Sequence, residues 1–161
     1  MNTIDQFINA CREKGLNVTY QRILIYKSLV NSKEHPTAET IFEDVKSEYP
    51  SISLATVYKT LETLAEHQLI DKVTPLHDLA RYDGNTDQHQ HVVCLHCRKI
   101  VDVYEDSLNG ISLPDHDDFQ ISGYRIQFEG ICQECANGRD PEERTNHKRE
   151  RQELTFCGKL Q

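Results

Sequence analysis

Apolar residues recur at helical spacing from the start of the chain. Ile4, Phe7, Ile8 and Cys11 fall at i, i+3, i+4 and i+7, with mostly polar residues between them. Thr3 and Gln6 form a capping box ahead of this stripe and Gly15 stops it, so a first helix is predicted between them. Thr19 can cap a second helix with Ile23, Tyr26 and Val30 facing inward. Thr37, just after Pro36, opens a third with Ile41, Phe42 and Val45 on one face, and Tyr49-Pro50 ends it. Ser53 caps a fourth, whose buried seam is Leu54, Val57, Leu61 and Leu64. At about 100° per residue its outward face carries Ala55, Thr56, Lys59 and Thr63, with Tyr58 on the shoulder. That face is small, polar and singly basic.

After the fourth helix the pattern changes to short extended runs, LIDKVT and ARYDG, separated by PLHDL, as in a two-stranded wing. Compact helices followed by such a hairpin describe a winged helix-turn-helix, whose last helix can enter a major groove. A plain amphipathic core helix with a solvated face would leave the same pattern. From about residue 85 the composition shifts to β-branched residues and metal-ligating types in HVVCLHC, KIVDVY and FQISGYRIQFEGICQEC, which marks a second, sheet-rich domain. Between its strands EDSLNGISLPDHDD contains Gly110 and Pro114, so any helix there is short or broken. The chain is read as α+β, with a winged-helix domain over residues 1–84, a smaller domain over 85–138 and a charged tail over 139–161. The tail has almost no core residues before Leu154 and is expected to be mobile or only locally helical.

Composition changes this picture in two ways. With 161 residues and 37% hydrophobic content, two cores would both be thin, and small cores need a staple such as a metal. The net charge of −8 argues against a polyanionic partner, yet residues 1–33 hold five basic side chains against two acidic ones. That segment is +3 and the remainder −11, so only part of the molecule could face nucleic acid. No apolar run reaches the length of about eighteen residues that a membrane span needs, and MNTIDQFINACREKG lacks the blocks of a signal peptide. A cytoplasmic protein with no membrane partner is expected. In that reducing compartment cysteines paired as CxxC read as metal ligands rather than disulfides.

Cys94-x-x-Cys97 and Cys132-x-x-Cys135 supply four thiolates in two tight knuckles, a soft tetrahedral set that suits a structural zinc ion. The 34 residues between the pairs leave room for an intervening strand or two. His96, inside a knuckle, is read as solvated. In an extended chain His89 and His91 project together, while Cys94 projects to the other side or into the turn, so the histidines need a different ion. If the knuckle closes an antiparallel hairpin whose paired positions sum to 193, Asp102 lies across from His91. Two imidazoles and a carboxylate suit Fe(II), Mn(II) or Zn(II) according to supply. Asp83 is close in sequence, and His35 sits in the conspicuous EHPT turn, where a histidine next to a helix cap is also an ordinary sight. His67, His77, His116 and His147 have no comparable partners, although PDHDD could hold a cation weakly.

The segments GLNVTYQR, EHPTAETIF, SISLATVYKTLETL, RYD, HQHVVCLHCRKIVD and GICQEC, in this order and spacing, resemble the ferric uptake regulator superfamily over roughly residues 5–136. The resemblance implies a homodimeric, metal-dependent DNA-binding regulator. Its winged helix would be followed by an α/β dimerisation domain with a four-cysteine zinc site, and a regulatory metal would lie between the two. Within that superfamily the chain is similar to the peroxide-responsive repressor branch. There the regulatory Fe(II) or Mn(II) is held by residues matching His35, Asp83, His89, His91 and Asp102, and oxidation strikes the histidines matching His35 and His89. The chain departs from the family pattern in carrying Tyr20 where proline is frequent, and its Cys157 and charged tail lie outside the resemblance.

From the resemblance, a repressor is expected that binds an inverted-repeat double-stranded operator as a homodimer and releases it on histidine oxidation, with peroxide as its only small-molecule signal. Tyr58 and Lys59 are the leading candidates for base contact, Ala55 can approach a thymine methyl, Thr56 shares their face, and Arg22 and Lys14 are candidate phosphate contacts. The alternative is an iron-, manganese- or zinc-sensing uptake regulator. A non-haem metal enzyme is a remoter alternative, because no dedicated general base or substrate motif is evident. A zinc-fastened interaction module that never touches DNA completes the set.

Overall fold

The computed structural model describes residues 3–32, 34–73, 80–108 and 110–138. The whole PLHDL separator with His77, together with the tail that holds His147 and Cys157, lies outside the described residues. The chain divides into two compact units, one running to His89 and the other starting at Gln90.

The first unit begins with four capped helices, α1 (Ile4–Glu13), α2 (Tyr20–Asn31), α3 (Ala38–Glu48) and α4 (Leu54–Glu66). Thr3, Thr19, Thr37 and Ser53 each accept a backbone N–H of the first turn, and Gln6 completes the capping box on Thr3. The first helix ends at Lys14, and Gly15 takes φ of 70°, a left-handed conformation that glycine adopts without a side-chain penalty. In α4 the seam Val57, Leu61 and Leu64 is buried as expected, while Leu54 is only half-buried. The inward face of α2 differs from the expectation: Leu24, Ile25, Tyr26 and Leu29 are buried, whereas Ile23 and Val30 are half-buried. With seven apolar or aromatic residues crowded into twelve positions, α2 has no single stripe for periodicity to find. Phe7 of α1 stacks on Tyr26 with ring centroids 3.8 Å apart, which ties the first helix to this core.

The wing follows as β1 (Asp71–Val73) and β2 (Arg81–Asp83), paired antiparallel. Tyr82 of β2 is fully buried in the helical core. Just beyond it, Gly84 passes so close to α2 that a Cβ there would lie 2.7 Å from Val30 Cγ1.

The second unit is a three-stranded sheet in the order β4-β3-β5, with β3 at Gln90–Cys94, β4 at Ile100–Val103 and β5 at Gln127–Gly130. The β3–β4 hairpin has the register in which His91 faces Asp102 and Val92 faces Val101. The run FQISGYRIQFEG is strand only in its last four residues, which pair parallel to β3. Among the described residues between β4 and β5, a 3-10 turn over Asp106–Leu108 stands in place of a longer helix, in keeping with Gly110 and Pro114. A short helix, α5 (Gln133–Ala136), closes the described chain. No described helix is long and apolar enough to cross a membrane.

Candidate functional site

The parallel pairing of β5 with β3 explains how two CxxC motifs so far apart in sequence meet. Cys94 ends β3 opposite Gly130, the last residue of β5, and the Leu95 amide donates to the Gly130 carbonyl at 2.7 Å. Both knuckles therefore lie at one end of the sheet. All four sulfurs, from Cys94, Cys97, Cys132 and Cys135, lie within 4.8 Å of one another.

The amides of Cys132 and Cys97 donate to Cys94 Sγ at 3.3 and 3.5 Å. Burial opposes the Cys94 thiolate, but these amides and that of His96 outweigh it and bring the pKa down to about 6. Cys135 goes the other way: burial first, then hydrogen bonds with Cys132, Cys97 and Cys94, push it up to about 12. Four crowded sulfurs cannot all shed their protons without a cation among them. A divalent ion of tetrahedral preference resolves this, and the all-thiolate donor set fits zinc. His96 is exposed beside the cluster.

A second constellation belongs to the first unit. His35 lies in the turn between α2 and α3 at φ of 47°, a conformation a histidine holds at a cost on the order of 1–3 kcal/mol unless its surroundings impose it. The wing imposes it here. Arg81 Nη1 donates to the His35 carbonyl at 3.2 Å, the Tyr82 amide donates to the Pro36 carbonyl at 3.1 Å, and Thr37 forms an isolated bridge with Arg81.

The His35 ring then reaches Asp83 at the end of β2, with Nε2 3.3 Å from Oδ2. His89 Nε2 lies 2.8 Å from the same oxygen. All three side chains are at least nine-tenths buried. His89 Nδ1 donates to the Asp87 carbonyl at 2.6 Å, which in a neutral imidazole leaves a lone pair on Nε2. That lone pair and the Asp83 carboxylate face each other, so a proton or a metal ion belongs between them. Anchoring the far ring nitrogen on a carbonyl is also how ligating histidines are oriented. The mixed nitrogen and oxygen donor set fits Fe(II), Mn(II) or Zn(II). In the second unit, His91 Nε2 lies 3.8 Å from Asp102 Oδ1 across the hairpin.

A comparison with known proteins gives this arrangement its context. The model of the ferric uptake regulator family matches residues 13–129, which is most of the chain. The chain belongs to the ferric uptake regulator family. At family level it is therefore a transcription regulator and not an enzyme. It is 34% identical over 136 residues to the peroxide-responsive repressor PerR of Staphylococcus aureus, covering 83% of this chain and 92% of that protein. The Campylobacter jejuni peroxide stress regulator superposes with a TM-score of 0.57 at 28% identity, covering 84% of this chain and all of that one. The Helicobacter pylori ferric uptake regulator Fur shares the fold with a TM-score of 0.66 at 20% identity, over 83% and 94% of the two chains.

The residues predicted to contact DNA lie on the first unit. Ala55 and Lys59 are exposed on α4, and Thr56 is half-buried with its hydroxyl 2.8 Å from that of Ser53. Tyr58 is half-buried on the shoulder, and its hydroxyl donates to Glu39 Oε1, a partner that periodicity gives no means of finding. Lys14 is exposed at the end of α1. Arg22 is half-buried, and its Nη1 donates to the Asn17 carbonyl, which fixes part of its guanidinium in the loop before α2. His67 caps α4 through Nδ1 and the Thr63 carbonyl, and in PDHDD the Asp118 amide donates to His116 Nδ1 in a local turn. Sequence reasoning also missed Arg81, whose role is to brace the His35 backbone and which no spacing rule marks.

Proposed function

We propose that this protein is a metal-dependent, DNA-binding repressor of the cytoplasm that senses peroxide, with His35, Asp83, His89, His91 and Asp102 holding one regulatory Fe(II) or Mn(II) ion. The observation that carries the reading is the single carboxylate of Asp83 serving both buried histidines, His35 and His89, in a geometry that asks for a shared cation. His91 is separated from His89 only by Gln90 and adds the pair it makes with Asp102. The 34% identity with a peroxide-responsive repressor supports the same choice of signal.

An Fe(II) ion held there would supply the redox chemistry that splits peroxide, one oxygen atom going to a histidine ring and the other leaving as water. His35 and His89, which both turn Nε2 toward the Asp83 carboxylate where the ion would sit, are the imidazoles exposed to that oxygen at a ring carbon. Oxidation of either one removes a nitrogen donor and weakens the hold on the ion, and the arrangement of units that the five ligands favour loses its bias. In a homodimer, that bias sets the spacing of two α4 helices against an inverted-repeat operator. Tyr58, Lys59, Ala55 and Thr56 are assigned to the major groove, with Arg22 and Lys14 on the phosphates. The zinc held by Cys94, Cys97, Cys132 and Cys135 takes no part in sensing and fastens the sheet.

The test is an anaerobic titration of DNA binding against Fe(II), Mn(II) and Zn(II), repeated after dilute peroxide, with peptide mapping of oxygen adducts. The Fe(II) form should lose DNA and carry a one-oxygen gain on His35 or His89, while the Mn(II) form should be indifferent. Intact binding with unmodified histidines would overturn peroxide sensing and leave metal sensing of the uptake-regulator kind. His91→Ala should abolish metal-dependent binding while leaving the zinc content and the fold unchanged; a protein that still answers to Mn(II) would remove His91 from the site.

A further inference from the structure

Two carboxylates hold tyrosine hydroxyls around α4, and one of those tyrosines stands on the shoulder of the face assigned to DNA. Glu39 is the second residue of α3, just behind the N-cap Thr37. Its carboxylate accepts from the Tyr58 hydroxyl, from its own backbone amide and from Thr37, and these bonds hold it below the usual carboxylate range in spite of partial burial. The N-terminus of α3 favours the same negative charge.

An ionised carboxylate can only accept, so the one proton of the phenol lies on the Glu39 side. What the hydroxyl then offers to any other partner is lone pairs. We propose that Glu39 is a specificity-determining residue, which fixes the Tyr58 hydroxyl as a hydrogen-bond acceptor toward the DNA major groove. An acceptor there can take the amino group of cytosine or adenine, and the ring edge can pack on a thymine methyl, but guanine presents only O6 and N7, both acceptors. Tyr58 therefore rejects guanine at the base it touches. Lys59, its exposed neighbour, carries only donors and has the opposite preference. This inference rests on the reading of α4 as the helix that enters the groove.

The experiment selects binding sequences from a randomised duplex pool with the full-length, Mn(II)-loaded protein and its variants. Retained helical signal by circular dichroism and an unchanged melting temperature confirm that each variant is folded. The position where Tyr58→Phe alters base preference identifies the contacted base. There the wild type should disfavour guanine by about tenfold, the scale of one good base contact. Glu39→Ala should bring guanine to within about twofold of the preferred base, because the freed hydroxyl can turn and donate. Glu39→Gln should keep most of the discrimination, since its amide oxygen still accepts. The double variant should match Tyr58→Phe alone. Glu39→Ala with wild-type base preference would overturn the proposal, as would an equal shift in the Tyr58→Phe background, which would mean that Glu39 acts through its charge on phosphates. A wild-type protein that enriches no sequence overturns the operator reading itself, a result distinguishable from either.

Discussion

The two units are built on different principles. The first packs Phe7, Tyr26, Ile41, Val57, Leu61 and Leu64, with further apolar residues around them, into one continuous core assembled from neighbouring helices. In the second, the described residues bury Val93, Cys94 and Ile100, while Tyr104, Phe119, Phe128 and Ile131 remain exposed. Apolar burial is worth roughly 25 cal/mol per Å², so the first unit is held by collapse, while the described residues of the second bury too little to be held in the same way. The second unit depends on crosslinking its strands through sulfur, and on whatever covers its apolar surface. A second copy of the chain, as proposed above, would provide that cover.

The sharpest way to break the contrast is to remove the crosslink. Structural zinc sites in small domains contribute apparent folding free energies on the order of 10–16 kcal/mol. Cys97→Ser, or chelation of the zinc, should therefore unfold the sheet unit while the helical unit survives. Segment-resolved hydrogen exchange should show Val93 and Ile100 losing protection while Leu61 and Leu64 keep theirs. Uniform loss across both units would mean that the first depends on the second, contrary to the core described. The reciprocal experiment is Leu61→Ala. Leu61 is fully buried, and its truncation should cost about 2–5 kcal/mol of the helical unit's stability while the zinc stoichiometry stays unchanged.

A smaller effect tests how tightly the wing is pressed on the helices. At Gly84 an added methyl meets Val30 Cγ1 at 2.7 Å and Leu29 Cγ at 3.6 Å. Gly84→Ala should cost about 1–3 kcal/mol by overpacking, and because Asp83 is the preceding residue it should also lower Mn(II) affinity, measured by calorimetry. An unchanged affinity would show that the wing can yield without moving Asp83.

Much of the contrast was legible in the sequence, because caps and knuckles are local. Thr3, Thr19, Thr37 and Ser53 announce helix starts through side chains that bond within one turn, and the two CxxC motifs announce a thiolate cluster. The facing of His91 and Asp102 followed from the hairpin register, itself set by the short knuckle. What sequence could not supply was long-range. The parallel pairing of β5 with β3 spans more than thirty residues, and the buried face of α2 depends on helices that pack on both its sides. Nor does any spacing rule connect Tyr58 with Glu39 or Tyr82 with Glu62, since those partners meet only once the helices have packed. The left-handed turn at His35 is likewise imposed from the wing by Arg81 and Tyr82.

The smallest expected effect concerns that last kind of contact. Glu62 on α4 accepts from Lys72 Nζ of β1 and from the Tyr82 hydroxyl of β2, both at 2.8 Å, so one carboxylate ties α4 to both strands of the wing. Lys72 first, and then Tyr82, hold the Glu62 carboxyl below the usual carboxylate range. A carboxyl lowered in the folded state adds stability that is present in full above its unfolded pKa and is lost as the pH falls through the folded one. Because both side chains of the ion pair are more than a third exposed, solvent screens it and its worth is only about 0–1 kcal/mol. Glu62→Gln keeps an acceptor for the buried phenol and removes only the charge. Its urea midpoint, followed by tyrosine fluorescence since the chain has no tryptophan, should sit slightly below that of the wild type at neutral pH. The gap should close on acidification through the carboxylate range. A gap that persists in acid would mean that Glu62 acts on the wing through its shape and hydrogen bonds alone, and that α4 is fastened to the strands without help from charge.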